Sequence, residues 1–125
     1  MHSLLKSRRV WVVLAVVSLM LVVGWYTSAS PRGMLMARID HARGHYEVKT
    51  YGGPPPTPDE AEMYTEYARL LRERYGVELN DVAQCVVAEE LARYANGYNA
   101  VSRRLLIEKY GRDIFKECAA SAQRR

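Results

Sequence analysis

The stretch VWVVLAVVSLMLVVGWY, residues 10–26, is a run of seventeen residues without a charged side chain. As a helix it would be about 25 Å long, near the lower limit for crossing the hydrocarbon core of a bilayer. Lys6, Arg8 and Arg9 come just before it, and such cations are retained in the cytoplasm. The sequence therefore predicts a cytoplasmic basic segment over residues 1–9, a transmembrane helix over residues 10–26, and export of the rest.

A cleaved secretory signal is the alternative interpretation of the same stretch. A basic start, an apolar core and small residues ending near Ala29 are its usual parts. However, the apolar run is longer than the roughly 7–15 residues of a typical signal core. Trp11 at one end, with Trp25 and Tyr26 at the other, resembles the aromatic belts of spanning helices. We therefore expect a retained anchor in a bacterial inner membrane, with the C-terminal domain periplasmic or extracellular; the alternative is a secreted protein.

The charge balance of the exported part argues against nucleic acid as a partner. Of the 18 lysines and arginines, three precede the apolar run, whereas none of the 14 aspartates and glutamates does. The exported part is therefore close to neutral, although the whole chain carries a net charge of +4. Nucleic-acid binding requires a basic field that this balance does not supply. The expected partners are the membrane, through residues 10–26, and another envelope protein.

Cys85 and Cys118 are the two cysteines of the chain, and both lie in the exported part. Disulfides persist in oxidising compartments and stabilise small domains most. The pair predicts a disulfide, which in the chain-entropy model would contribute about 3–4 kcal/mol. Two buried thiols that pack as small apolar side chains are the alternative.

Residues 27–57 differ in composition from the rest of the exported part. Glycines recur through this segment, and residues 54–56 are three consecutive prolines. Such a composition predicts a stalk or extended arm that carries the domain away from the membrane. Within it, the alternating sequence HYEVKTY, residues 45–51, is typical of one short strand.

The proline run ends at a clear helix start. Thr57 can cap a helix, Pro58 suits its first position, and Glu60 stands three residues after the cap. The next apolar residues recur at helical spacing as far as Gly76, which can end the helix in the left-handed conformation. The first helix of the exported domain is therefore predicted here.

Three further helices are predicted after Gly76, and the second and third each begin at a possible capping residue. The second runs from Asn80 or Asp81 to the pair at residues 96–97, and the third from Asn99 to Gly111. The fourth begins at about residue 113. The predicted fold class is all-α: an N-terminal apolar helix, a stalk, and a small disulfide-linked four-helix domain over residues 58–125.

A short internal repeat links two of these predicted helices. RLLRERYG at residues 69–76 and RLLIEKYG at residues 104–111 match at six of eight positions. Two copies fall short of the about three that a stacked repeat needs. If the repeat is structural, each copy should lead into an equivalent helix that carries one cysteine.

A weak metal-site hypothesis arises directly after the apolar run. Met34, Met36, His41 and His45 cluster there, and thioether and imidazole ligands outside the cytoplasm would suit copper. Contact of the methionines with lipid headgroups is the simpler explanation, so no metal or other cofactor is expected. Periplasmic copper handling is retained as an alternative function.

Tyrosine is the remaining compositional feature, with nine tyrosines against one phenylalanine. Tyr98, in an expected Asn-Gly-Tyr-Asn turn, is the first candidate for contact with a partner, and Tyr46 and Tyr51 on the extended arm come next. No serine-centred elbow or phosphate-binding glycine loop is present, and no histidine lies beyond position 45. The sequence therefore predicts a non-catalytic interaction or accessory module. A secreted helical binder or inhibitor is the alternative.

Overall fold

The computed structural model describes the backbone of residues 2–124 and the side chains of residues 7–124. Within this range the chain forms five helices and two strands: α1 (His2–Thr27), α2 (Ala29–Ala42), β1 (Tyr46–Tyr51), α3 (Pro58–Tyr75), β2 (Val77–Ala83), α4 (Glu89–Tyr110) and α5 (Ile114–Gln123). The fold is mostly helical but contains a small parallel sheet in which β1 pairs with β2. The all-α prediction is therefore wrong in part.

Helix α1 is the apolar helix expected from the sequence. Its segment Ser7–Thr27 is long and apolar enough to cross a membrane, and none of its most apolar stretch is buried inside the protein. Because these apolar side chains have no protein to pack against, the helix is consistent with a membrane anchor or a signal sequence.

Helix α2 occupies the first part of the predicted stalk. Ala29, Gly33 and Ala37 recur every four residues, form one face of this helix and are buried against α4. The prediction of a stalk is wrong for residues 29–42, because glycine and alanine here serve close helix packing rather than flexibility. The segment belongs to the folded domain.

The crossing of α2 and α4 depends on two glycines. A Cβ atom at Gly33 would lie 2.2 Å from the carbonyl oxygen of Tyr94, and one at Gly97 would lie 2.4 Å from that of Ser30. Both distances are far inside van der Waals contact, so the two backbones touch where no side chain fits. Only glycine permits this approach at either position.

The sheet is part of a β1–α3–β2 unit. The strands run parallel, with Val48 of β1 beside Leu79 of β2. Strand β1 was expected as a single short strand, whereas β2 lies partly where the sequence predicts the second helix. That helix prediction is wrong because a short apolar run has no periodicity that separates a strand from a helix. Val77 is fully buried, so pairing and burial favour the strand.

The caps of α3 and α5 confirm the predicted helix limits. Thr57 accepts a hydrogen bond from the backbone N–H of Glu60, and Gly76 ends α3 with a φ of 65°. Asp113 accepts hydrogen bonds from the first turn of α5. These signals are local, and tertiary contacts did not override them.

Helix α4 joins what the sequence divides into two helices. The predicted break at residues 96–97 lies in the interior of this 22-residue helix, which ends at Gly111 with a φ of 68°. The Asn-Gly pair favours a turn in isolation. Here Gly97 is required for contact with α2, and the neighbouring Asn96 and Asn99 bond to β1 residues.

The main core lies between the sheet, α3, α5 and the C-terminal half of α4. Its fully or nearly fully buried residues are Val48, Leu70, Leu71, Tyr75, Val77, Leu106, Ile114, Phe115, Cys118 and Ala122. A second, smaller cluster joins α2 to α4 through Ala37, Tyr98 and Val101.

The two cysteines are free thiols, so the predicted disulfide is wrong. Cys118 is completely buried in the main core on α5. Cys85 is exposed in the loop after β2 and lies near Gly53. The reason for the error is the missed strand: β2 and its loop place Cys85 outside the core in which Cys118 is packed.

We predict that Gly97→Ala destabilises the protein by about 1–3 kcal/mol, the usual cost of overpacking. In an unconstrained helix the same change stabilises by up to about 1 kcal/mol, so the sign of the effect is diagnostic. Denaturant unfolding in detergent measures it. Gly24→Ala is the matched control, since its new Cβ meets no atom within 4 Å. Equal effects of both substitutions would contradict the close crossing.

Thiol labelling tests the corrected cysteine assignment. In the folded, unreduced protein Cys85 should react at once. Cys118 should react only after unfolding, because burial shields it and raises the pKa of its thiol. Denatured, unreduced protein should therefore label at two positions, and labelling at neither would restore the disulfide.

Candidate binding cleft

Side chains of α4 close the outer edge of β1. The amide of Asn99 accepts a hydrogen bond from the backbone N–H of Lys49 at 2.7 Å and donates one to its carbonyl oxygen at 2.7 Å. The hydroxyl of Ser102 donates to the carbonyl oxygen of Glu47 at 2.6 Å. Helix α4 thus supplies the bonds that a third strand would make, and the backbone of β1 is paired on both sides.

The side chain of Glu47 is the centre of a buried polar cluster below this edge. Its carboxylate forms an ion pair with Lys49, lies 3.1 Å from Nε2 of His45, and accepts a hydrogen bond from Asn80 at 3.5 Å. Burial acts to raise the pKa of Glu47, but the hydrogen bonds and charges of Lys49 and His45 lower it overall. The ionised carboxylate is therefore the stable form in the folded protein.

Tyr98 forms the wall of this cluster. Its ring is 1% exposed, its hydroxyl donates to Oδ2 of Asp40 at 2.8 Å, and Nζ of Lys49 lies 4.4 Å from its ring centroid. Burial, reinforced by the hydrogen bond to Asp40, raises the pKa of Tyr98. The Tyr98 hydroxyl pairs with Asp40 and the Lys49 ammonium group pairs with Glu47, so the cluster joins α2, β1 and α4.

An open cleft of about 990 Å³ lies beside the carboxyl ends of the two strands. It is lined by the last residues of β1 and β2, the loop that joins β1 to α3, the first turns of α3, and Asn96 and Asn99 of α4. Ligands of parallel sheets bind at this end of the strands. The volume is at the upper end of the range for ligand sites, about 300–1,000 Å³.

Two tyrosine rings give the cleft its apolar surface. Tyr51 and Tyr64 are each 38% exposed, and both line the cleft. The hydroxyl of Tyr51 donates to Oδ1 of Asn96 at 2.7 Å, and that of Tyr64 donates to Thr50 at 3.4 Å. The rings are thereby held in place with their faces partly open.

The loop from β1 to α3 shapes the other side of the cleft. Gly52 and Gly53 have φ values of 107° and 83°, which L side chains rarely adopt. The three prolines after them have no backbone N–H, so they offer carbonyl oxygens and ring faces. This side of the cleft therefore offers hydrogen-bond acceptors and apolar ring faces, which suit a polypeptide.

The predicted partner-contact residues have separate positions. Tyr51 lies in the cleft, whereas Tyr46 packs against the main core, where Lys109 donates to its hydroxyl at 2.6 Å. Tyr98 is in the interior of α4, so the predicted turn is wrong and this ring is not available to a partner. A partner role for Tyr46 stays a prediction.

The four candidate copper ligands lie in different surroundings. Met34 and Met36 are exposed on α2, and His45 pairs with Glu47. The ring of His41 packs at a tilt of 59° against Tyr46, with centroids 5.0 Å apart. Residues 7–124 contain no group of three or more histidine, cysteine, aspartate or glutamate side chains placed to hold a metal ion.

Sequence reasoning missed Asn96, Asn99 and Ser102 as functional positions. Their regular spacing of three residues was the available signal, because it places three polar groups along one side of a helix. The interpretation of the Asn-Gly pair as a turn hid this spacing.

Searches against protein-family models, curated proteins and solved structures find no match to this chain.

We predict that Glu47→Gln lowers the free energy of unfolding by roughly 1–3 kcal/mol at neutral pH, because it removes the charge that faces Lys49. Since the folded pKa of Glu47 is lowered from 4.5, its contribution is complete above that pH and is lost as the pH falls through the folded value. The variant should therefore lose less stability than the natural protein on acidification.

Denaturant titrations at several pH values measure this difference. Glu89→Gln is the control: its side chain is 82% exposed and pairs with Arg93 on the same helix, so the expected cost is below about 1 kcal/mol. If the free energy of unfolding falls equally with acidification in the natural protein and in Glu47→Gln, the role of Glu47 is contradicted.

Proposed function

We propose that this protein is a membrane-anchored, non-catalytic interaction module. Its exported domain binds an extended segment of an envelope protein in the cleft beside the strand ends. The observation that carries the proposal is the pair of exposed, hydrogen-bonded tyrosine rings, Tyr51 and Tyr64, that face this cleft. Rigid tyrosines provide contact area at low entropic cost and are common where proteins bind each other.

The hydrogen bonding of the cleft supports binding rather than catalysis. Asn99 uses its amide on Lys49, and Tyr51 and Tyr64 direct their hydroxyls to Asn96 and Thr50. Lys49 directs its ammonium group away to Glu47. A catalytic site requires a group with free access to a substrate, whereas these groups stabilise the shape of the cleft.

The connection to α1 supports a partner that is also at the membrane. Ser28 is the only residue between α1 and α2, and one residue spans less than about 4 Å. Because α2 packs closely on α4, the domain is held beside the end of α1. With Lys6, Arg8 and Arg9 retained in the cytoplasm, the domain would lie at the periplasmic surface of a bacterial inner membrane.

The burial of Ala29 supports a retained anchor over a cleaved signal. Its side chain is 4% exposed and belongs to the α2 face that packs on α4. Cleavage near this residue would remove or charge the start of α2 at a close helix contact. We therefore place secretion after cleavage second.

A photo-crosslinking amino acid placed at position 51 or 64 in intact cells should capture one recurring envelope protein. The reason is that both side chains face the cleft and are partly exposed. The same amino acid at position 116 is the control, because the side chain of Lys116 is 88% exposed on α5 and does not line the cleft. Purification of the adduct and mass spectrometry identify the partner.

Two results would overturn the proposal. Equal capture at positions 51, 64 and 116 would show random collision, and no capture at 51 and 64 would leave the cleft without a partner. The mass of the uncrosslinked protein distinguishes the topologies: 14.3 kDa is expected for a retained anchor, and loss of about 29 residues for a cleaved signal.

A further inference from the structure

The two edges of the sheet differ in whether their outward backbone groups have hydrogen-bond partners. On β1, Asn99 and Ser102 pair with the outward backbone groups. On β2, the principal neighbours are β1 and α3, and no hydrogen bond to its outer edge is found among residues 2–124. A sheet of only two parallel strands is unusual, because parallel sheets are normally larger and covered. The open edge of β2 is therefore a position where a further strand can pair.

The register identifies the backbone groups that are free. Lys49 directs its N–H and C=O groups toward α4, so its neighbour Val48 directs its own toward β2. Val48 lies beside Leu79, and in a parallel ladder it bonds to the residues before and after that partner. The N–H and C=O groups of Leu79 and, two residues on, Asp81 therefore point away from β1.

Charge at this edge selects between possible occupants. Glu78 and Asp81 are exposed and form no ion pair with the described residues. Pairing of β2 with β2 of a second copy would bring two Glu78 and two Asp81 carboxylates into one ribbon, which is destabilising. A strand that carries lysine or arginine would instead be attracted. The charges thus oppose self-association and favour a basic partner segment.

We propose that the outer edge of β2 is a strand-addition site for an extended, basic segment of the partner. The segment pairs with Leu79 and Asp81, which are also among the residues that line the cleft, and continues from the edge into the cleft. Main-chain hydrogen bonds provide the affinity, and Glu78 and Asp81 provide the selectivity. This inference rests on the proposed function, to which it adds the conformation and charge of the bound segment.

Residue-resolved amide hydrogen exchange tests the site on the full chain in a neutral detergent. The probe is a short synthetic peptide of repeated Lys-Lys-Val-Val. It carries lysine on both faces, because Glu78 and Asp81 are three residues apart on a strand and project from opposite faces. At about ten times its Kd, it should slow exchange at Leu79 and Asp81 by about tenfold. The same peptide with glutamate in place of lysine should give no protection at equal concentration. Protection by neither peptide, or equal protection by both, contradicts the proposal.

Charge reversal provides a gain-of-function test. The double variant Glu78→Lys and Asp81→Lys changes exposed side chains and keeps the backbone donors, so it should fold. It should be protected by the glutamate peptide and not by the lysine peptide. Glu108→Lys, an exposed position on α4, is the matched control and should leave the preference unchanged. An unchanged preference in the double variant contradicts the role of these charges.

The peptide and crosslinking results separate the two proposals. Protection at Leu79 and Asp81 without crosslinks at positions 51 and 64 would support the edge and remove the cleft as the partner site. Crosslinks without protection would keep the cleft and remove strand addition.

Discussion

The hydrogen bonds of Asn99 to both backbone groups of Lys49 are the interaction on which the rest of the structure depends. They allow a helix to take the place of a strand, so a sheet of two parallel strands has only one open edge. Gly97, two residues earlier on the same helix, admits α2 to backbone contact. Helix α4 therefore joins α2 to the sheet.

The same arrangement explains the position of the cleft. The strands end beside α4, so Tyr51 and Tyr64 project into a cleft whose wall is formed by Asn96 and Asn99. In the buried cluster around Glu47 and Tyr98, the polar groups pair with one another and stabilise the fold.

Local signals were reliable where a helix end depends only on its own neighbours. Thr57 caps the start of α3 as predicted, α5 begins close to the predicted residue 113, and the glycines at positions 76 and 111 end their helices as predicted. The repeated octapeptide shows the limit of this reasoning. Both copies end a helix at Tyr-Gly, yet the first leads into β2 and the second into α5. Identical helix ends do not determine the type of the next element, because that element responds to its tertiary partners.

The sequence by itself determined the apolar helix α1, the capped helices α3 and α5, and the short extended segment of β1, because each depends on composition or on contacts within a few residues. Only the tertiary structure decided that residues 77–83 pair as a strand, that residues 29–42 fold onto α4, and that Cys85 and Cys118 stay apart. The cleft belongs to this second group. It is built from residues far apart in the chain, and glycine and asparagine change from turn formers to packing and pairing residues only when a partner backbone is beside them.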